Sequence, residues 1–196
     1  MNRANKYFTN GYILAGGKSS RMGIDKGLIL LNGKAVVQHV IDALIPVMEN
    51  IVIVSNNPEY QQFGLGVIED LVKEIGPAGG IYTALNHSYS QQNFIVSCDM
   101  PFIKSEAIKF IIKNSTQHEI TLPMHHQSLE PLFGVYSKTC LPKWKELTES
   151  GMIELRLLAE QFNFLKLNID RNNLFNELHF LNINTKVDFE NAVKQI

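Results

Sequence analysis

The sequence has few of the features that mark secreted or membrane proteins. Its 196 residues include two cysteines, Cys98 and Cys140, too few for a disulfide framework and not arranged as a Cys-x-x-Cys pair. This favours a reducing compartment. No apolar run approaches the roughly 18 residues that a membrane span needs, and the first ten residues lack the apolar stretch of a signal peptide. We therefore expect a cytoplasmic protein that does not bind membranes.

An excess of charge of one sign is also missing. Eighteen Lys and Arg residues oppose 19 Asp and Glu residues, for a formal net charge of -1. Nucleic-acid binding usually draws on a basic excess, so no nucleic-acid partner is expected. Apolar residues, in contrast, make up 45% of the chain, enough for a sizeable core. This length predicts one domain, spanning residues 1–196.

Two kinds of apolar pattern alternate along the chain. Short β-branched and aromatic runs predict strands, at 11–15, 50–55, 66–68, 94–97, 119–122, 132–136, 164–168 and 180–183. Apolar residues at helical spacing predict helices, around 36–44, 81–85, 108–112 and 186–193, the last beginning after the N-cap Thr185. Strand–helix alternation in the first half predicts a three-layer α/β sandwich with a mostly parallel central sheet. The looser pattern over 117–184 predicts some antiparallel strand in the C-terminal half.

A glycine-rich loop follows the first strand. Gly16 and Gly17 allow a sharp turn and expose backbone N–H groups, and Arg21 and Lys26 add cationic donors suited to phosphate oxygens. The loop matches neither a Walker loop nor a dinucleotide fingerprint. On the residues alone, a phosphate-binding loop and an ordinary basic turn both stay open.

Asp99 comes just after the predicted strand 94–97 and two residues before Pro101. A carboxylate at that strand end faces the same crevice as the glycine loop, and Mg²⁺ prefers oxygen ligands of this kind. Taken alone, an aspartate before a proline is more often a turn residue that accepts hydrogen bonds from backbone N–H groups. Both interpretations remain open from the local pattern.

The adjacent histidines His125 and His126 form another candidate metal pair. Consecutive residues of a strand point to opposite faces of a sheet. We therefore predict a solvated loop here rather than a metal site.

Residues 14–27 read Leu-Ala-Gly-Gly-x-x-x-Arg-Met-Gly-x-Asp-Lys-Gly. This segment resembles the signature of the molybdenum cofactor guanylyltransferase (MobA) family, within the Rossmann-like nucleotidyltransferases. Further segments resemble that family in the same order, at 32–34, 67–70, 76–81, 97–102, 130–136 and 182–185. The resemblance implies transfer of GMP from GTP to molybdenum-molybdopterin, with release of pyrophosphate, Mg²⁺ as cofactor and a Rossmann-like nucleotidyltransferase fold.

The resemblance also implies roles for individual residues. It makes Arg21, Lys26 and Asp99 catalytic and Asp99 the Mg²⁺ ligand. The implied nucleotide contacts are Leu14, Ala15, Gly16, Gly17, Lys26, Asn56, Asp70 and Asp99. Asn182 and Asn184 are second-tier candidates for contact with substrate or metal.

The implied partners are GTP and molybdopterin, together with transient contacts to other cofactor-biosynthesis proteins or recipient molybdoenzymes. Two alternatives within the same scaffold are a molybdopterin cytidylyltransferase and an enzyme acting on a sugar or alcohol phosphate. An alternative from another class is a non-catalytic nucleotide-binding module. The combined presence of Arg21, Lys26, Asp70 and Asp99 argues against the last of these.

Overall fold

The computed structural model describes residues 7–16 and 25–195, through which a mixed sheet of eight strands runs. In chain order, the strands are β1 (Tyr7–Leu14), β2 (Leu30–Leu31), β3 (Lys34–Ala35), β4 (Met48–Val54), β5 (Gly66–Ile68), β6 (Gln92–Ser97), β7 (Ile120–His125), β8 (Ser128–Leu129), β9 (Phe133–Ser137) and β10 (Phe164–Asn168). The order across the large sheet is β10-β7-β9-β6-β1-β4-β5, with β8 beside β7, while β2 and β3 form a separate hairpin.

The strand directions decide which loops meet. β6, β1, β4 and β5 are parallel neighbours, whereas β9 is antiparallel to both β6 and β7, and β10 is parallel to β7. The carboxyl ends of β1, β4, β5, β6, β7 and β10 therefore share one side of the sheet, which we call the carboxyl edge. The predicted mostly parallel sheet with an antiparallel strand in the C-terminal half is confirmed.

Six helices accompany the sheet in the described residues: α1 (Val36–Leu44), α2 (Pro77–His87), α3 (Ser105–Lys113), α4 (Leu141–Glu149), α5 (Leu155–Ala159) and α6 (Lys186–Val193). Local side-chain chemistry sets the start of α6. At α6, the Thr185 hydroxyl accepts from the Asp188 N–H at 3.2 Å, and the Asp188 carboxylate accepts from the Thr185 N–H at 2.8 Å. This capping box satisfies N–H groups that the first helical turn leaves unpaired.

Strand alternation divides the core into two apolar layers. Ile13, Ile53 and Val96 belong to a buried cluster shared with α1 and α3. Their chain neighbours Tyr12 and Val52 belong to a second cluster, shared with α2 and α4 on the opposite face. Full burial of one such side chain contributes roughly 1.5–3 kcal/mol. The layers confirm the predicted three-layer sandwich.

A third, smaller cluster attaches the C-terminal segment to the rest of the molecule. Leu31, Val36, Ile183 and Ala192 are buried together. They come from the β2–β3 hairpin, from the start of α1 and from the segment that ends in α6. This packing places the chain around residue 184 beside the turn that begins at Lys26.

The predicted strand at 180–183 is wrong. Residues Glu177–Phe180 form a 3₁₀ turn, because the Asn176 side chain accepts from the His179 N–H at 3.2 Å and caps it. Beyond this turn, the Ile183 N–H donates to the Asp99 carbonyl at 3.0 Å instead of joining a ladder. Within the described residues, no helix has the length and apolar character needed to cross a membrane.

Candidate active site

A cavity of about 470 Å³ lies at the carboxyl edge, where β1, β4 and β5 end and α2 begins. Its volume is in the range of small-molecule sites. The residues that line it are Leu14, Gly16, Val54, Ser55, Asn56, Asp70, Lys73, Glu74, Gly76, Pro77, Gly80, Ser97 and Leu132.

Four of the predicted nucleotide contacts, Leu14, Gly16, Asn56 and Asp70, line this cavity. Ala15 does not, since its side chain is buried in the cluster beneath α1 and its N–H donates to the Val54 carbonyl at 2.9 Å. Gly17 and Arg21, also predicted for the site, lie outside the described residues.

Asp70 and Asn56 connect two neighbouring strand ends. The Asn56 side-chain oxygen accepts from the Asp70 N–H at 3.1 Å. Asp70 Oδ1 accepts from the buried Thr83 hydroxyl at 2.7 Å and from the Val72 N–H at 3.2 Å. Asp70 therefore shapes the loop after β5, besides lining the cavity.

The start of α2 forms one wall of the cavity. Gly76 has a φ of 61°, a left-handed conformation that glycine adopts without strain, and Pro77 is the first helical residue. A Cβ on Gly80 would lie 3.1 Å from a Leu14 methyl carbon, so this glycine lets α2 approach β1 closely. Helix N-termini favour anions because their first N–H groups point outward.

Asp99 follows β6 and is 9% exposed. The Ser97 hydroxyl, which belongs to a cavity-lining residue, donates to Asp99 Oδ1 at 2.6 Å. Burial raises the pKa of the Asp99 carboxyl above its usual value, while the Ser97 hydrogen bond and the Lys26 charge act in the opposite direction. A buried carboxylate whose hydrogen-bond partner Ser97 lines the cavity fits a hard divalent cation, because the cation would offset the desolvation of the carboxylate.

Lys26 and Asn184, 158 residues apart, meet beside Asp99. Lys26 Nζ donates to Asn184 Oδ1 at 2.7 Å, and the adjacent Ile183 holds the Asp99 carbonyl, as described above. Asn182 behaves differently, since its side-chain nitrogen donates to the Phe180 carbonyl at 3.2 Å, within its own segment. Of the two second-tier candidates, Asn184 is the one in contact with a predicted catalytic residue.

A partly buried hydrogen-bond network fixes the turn that carries Lys26, and the sequence prediction missed it. Asp25 Oδ1 accepts from the Tyr60 hydroxyl at 2.5 Å and from the Gly27 N–H at 3.1 Å, while Oδ2 accepts from Asn57 at 3.1 Å. Burial raises the pKa of Tyr60, which therefore remains a hydrogen-bond donor. Because Tyr60 and Asn57 lie in an otherwise polar segment, no periodicity or motif marks them.

Prediction also missed four polar residues of the cavity, Ser55, Lys73, Glu74 and Ser97. Lys73 and Glu74 belong to a loop without repeating pattern. Ser97 lies in the segment 97–102, which resembles the family, but the resemblance assigns no role to this residue. Cys98, beside them, is buried, and burial raises the pKa of its thiol, as expected for an unreactive core cysteine.

Comparison with known proteins identifies relatives along most of the chain. Residues 11–163 match the family model of the MobA-like NTP transferase domain. A "probable molybdenum cofactor guanylyltransferase" of Flavobacterium johnsoniae is 39% identical over 175 residues, covering 89% of this chain and 90% of that protein. The molybdenum cofactor guanylyltransferase of Vibrio vulnificus is 37% identical over 159 residues, covering 78% and 80%.

A solved structure is similar over nearly its whole length. It is the molybdopterin-guanine dinucleotide biosynthesis protein A from Archaeoglobus fulgidus, with a TM-score of 0.81 and 23% identity, and the match covers 95% of this chain and 98% of that one. At this identity, the likeness establishes the nucleotidyltransferase fold.

Proposed function

The chain belongs to the MobA-like NTP transferase family, and on this basis we propose that it transfers GMP from GTP to molybdenum-molybdopterin. The protein is a nucleotidyltransferase that forms the molybdopterin guanine dinucleotide and releases pyrophosphate. The observation that carries this function is the meeting of Lys26, Asn184 and Asp99 beside the cavity at the carboxyl edge.

The nucleoside of GTP occupies the cavity between β1, β4 and β5. Gly16 contributes backbone polar groups, and Asn56 and Asp70 contribute side chains, at the positions where a purine and its ribose would lie. Guanine is distinguished from other bases by hydrogen bonds that a wrong base leaves unpaired. The start of α2 favours a polyanion, and Lys73 offsets part of the negative charge of Asp70 and Glu74, which line the same cavity.

The reaction joins two polyanions, so their mutual repulsion dominates the barrier. An oxygen of the molybdopterin terminal phosphate attacks the α-phosphorus of GTP, and the bond from that phosphorus to the oxygen bridging to the β-phosphate breaks. The attacking oxygen is already ionised at neutral pH, so no strong base is required. Lys26 and Arg21 bind the β- and γ-phosphates and neutralise the departing pyrophosphate. Asn184 orients the Lys26 amine through its 2.7 Å hydrogen bond.

Enzymes of this family generally use a divalent metal. We assign Mg²⁺ as that metal and the Asp99 carboxylate as the residue that would hold it. When bound, it would supply positive charge at the reacting phosphates and align them. Ser97 holds one carboxylate oxygen of Asp99 in place by its 2.6 Å hydrogen bond.

The acceptor approaches from the other half of the carboxyl edge, where β7 and β10 end. The ends of β7 and β10 lie outside the nucleotide cavity, and we assign the large pterin to this half. We assign the whole chain to one domain that works in the cytoplasm and makes transient contacts with the proteins that deliver molybdopterin or receive the product.

The decisive experiment compares nucleotide donors. Purified protein, Mg²⁺ and molybdenum-loaded molybdopterin are incubated with GTP, CTP, ATP or UTP, and the dinucleotide product and pyrophosphate are measured. GTP should be the preferred donor. A preference for CTP would make the protein a cytidylyltransferase, and tight GTP binding without product from any nucleotide would favour a non-catalytic module.

A further inference from the structure

The hairpin at the end of β7 has an unusual backbone. His125 pairs with Ser128 across β7 and β8, which leaves His126 and Gln127 as a two-residue loop with φ values of 47° and 63°. Such loops favour Asn-Gly, because both central residues are left-handed. The β2–β3 hairpin follows that preference with Asn32 and Gly33, whose φ values are 52° and 74°.

This turn brings two imidazoles together. The ring centroids of His125 and His126 are 4.0 Å apart. His126 lies in an exposed turn, which agrees with the predicted solvated loop. Because it is a turn residue and not a strand residue, the rule that places neighbouring side chains on opposite faces does not apply to this pair. The His125 ring also stacks on Phe180, with 5.2 Å between centroids, which limits its movement.

A carboxylate from a distant part of the chain completes the group. β10 runs beside β7, and just after it Asp170 Oδ1 accepts from the His126 N–H at 2.8 Å. One ligand atom from each of His125, His126 and Asp170 lies within 4.8 Å of the others. A second carboxylate is close, since Glu177 Oε1 is 3.9 Å from His126 Nε2.

We propose that His125, His126 and Asp170 bind one Zn²⁺ ion, with Glu177 as fourth ligand. Two imidazole nitrogens with carboxylate oxygens form a typical zinc ligand set, whereas Mg²⁺ prefers oxygen ligands alone. Zinc–ligand distances of about 2.0–2.2 Å put tetrahedral ligand atoms roughly 3.4 Å apart. To bind the ion, the ligand atoms must close from their present spacing of up to 4.8 Å, and the Asp170 and His126 side chains that would move are exposed.

This site lies on the half of the carboxyl edge assigned above to the acceptor, and not at Asp99. β9 intervenes between β7 and β6, so the site is two strand spacings, roughly 10 Å, from the strand that precedes Asp99. The ion would join the β7–β8 hairpin, the end of β10 and the 3₁₀ turn Glu177–Phe180. Because it binds the folded arrangement of three segments, zinc should stabilise the protein.

Zinc binding is measured by titration calorimetry on the full chain without an affinity tag, in excess Mg²⁺ so that oxygen-rich sites are occupied. We expect one Zn²⁺ per chain, a higher melting temperature with Zn²⁺, and shifts of the His125 and His126 imidazole ¹⁵N signals. Absence of zinc binding by the wild-type chain would overturn the proposal.

The sharpest variant is His126→Asn combined with Gln127→Gly, which keeps the hairpin by giving it the same two residues as the β2–β3 loop. It should fold normally and bind Zn²⁺ at least about tenfold more weakly, as should His125→Gln. His118→Gln, near the opposite end of β7, is the matched control and should keep wild-type affinity. Unchanged affinity in the two test variants, or zinc binding lost in Asp99→Asn instead, would refute the site.

Discussion

At the scale of single residues, the proposed centre depends on the balance of charge around Asp99. Burial alone disfavours the ionised carboxylate, and the nearby Lys26 ammonium favours it. Asp99 and Lys26 should therefore contribute more to nucleotide binding than to folding. The protein alone compensates the buried charge of Asp99 only in part, and a nucleotide with its metal would complete that compensation. The two side chains should respond differently to substitution.

We expect Asp99→Asn to lower turnover by about 10³-fold, or roughly 4 kcal/mol, because the proposed metal ligand is lost. Stability should not fall, since the Ser97 hydroxyl can donate to the amide oxygen. Burial raises the pKa of Asp99 in the folded state, so the ionised wild type is penalised at neutral pH and loses that penalty as pH falls through this raised pKa. Urea unfolding should therefore show the variant at least as stable at pH 7, with the difference vanishing in acid.

We expect Lys26→Ala to reduce kcat/KM for GTP by about 10²-fold, because a cationic donor to the phosphates is removed. Steady-state kinetics of pyrophosphate release would measure the change. Lys113→Ala, at an exposed position in the last turn of α3, is the control and should behave as wild type. Equal effects in the two variants would make Lys26 an ordinary surface lysine.

At the scale of elements, the buried Tyr60 supports the 3₁₀ turn Lys26–Leu28 through its contact with Asp25, the N-cap of that turn. The Tyr60 hydroxyl is a donor to the Asp25 carboxylate and also occupies the space into which a Cβ on Gly27 would project. The turn thus requires the neutral Tyr60 hydroxyl as hydrogen-bond donor and a glycine at position 27 to make room for it. We regard Tyr60 as a positioning residue for Lys26.

Tyr60→Phe should destabilise the protein by about 1.5–3 kcal/mol, because a buried hydrogen bond to a charged group is lost. It should also raise KM for GTP more than it lowers kcat, since the Lys26 turn loosens. Gly27→Ala should be strongly destabilising alone, and the double variant less so than the sum of the two. Strict additivity in a double-mutant cycle by urea unfolding would contradict the inferred contact.

At the scale of the whole molecule, the centre is assembled by the return of the C-terminal segment. Ile183, which is fully buried, packs with Leu31 of the β2–β3 hairpin and with Val36 at the start of α1. The next residue is Asn184, the hydrogen-bond partner of Lys26. Packing in this small cluster and the geometry of the centre are therefore coupled.

Ile183→Ala should cost roughly 2–4 kcal/mol of unfolding free energy and lower activity as well, because the cavity left behind loosens the position of Asn184. Val187→Ala in α6 is the control, since Val187 is 63% exposed and its truncation should stay within about 0.5 kcal/mol. Thermal unfolding and GTP kinetics would measure both. Full activity in a destabilised Ile183→Ala protein would show that packing in the third cluster does not control the geometry of the proposed centre.

Much of the fold was predictable because its signals are short-range. Apolar spacing located α1 and α3, and β-branched runs located seven of the eight predicted strands. The N-cap Thr185 identified the start of α6. The strand prediction at 180–183 failed because it, too, rested on a short-range signal. That run is apolar like a strand, but its partners are Asp99 and the third cluster rather than a neighbouring strand.

The layered α/β architecture and the chemistry available at each strand end could be predicted, since both depend on residues close together in the chain. Which of those groups meet depends on three-dimensional packing. The contact of Lys26 with Asn184, the support of Asp25 by Tyr60 and the approach of Asp170 to His126 each join distant segments. Such contacts result from sheet order and from packing of the C-terminal segment, and no local pattern encodes either.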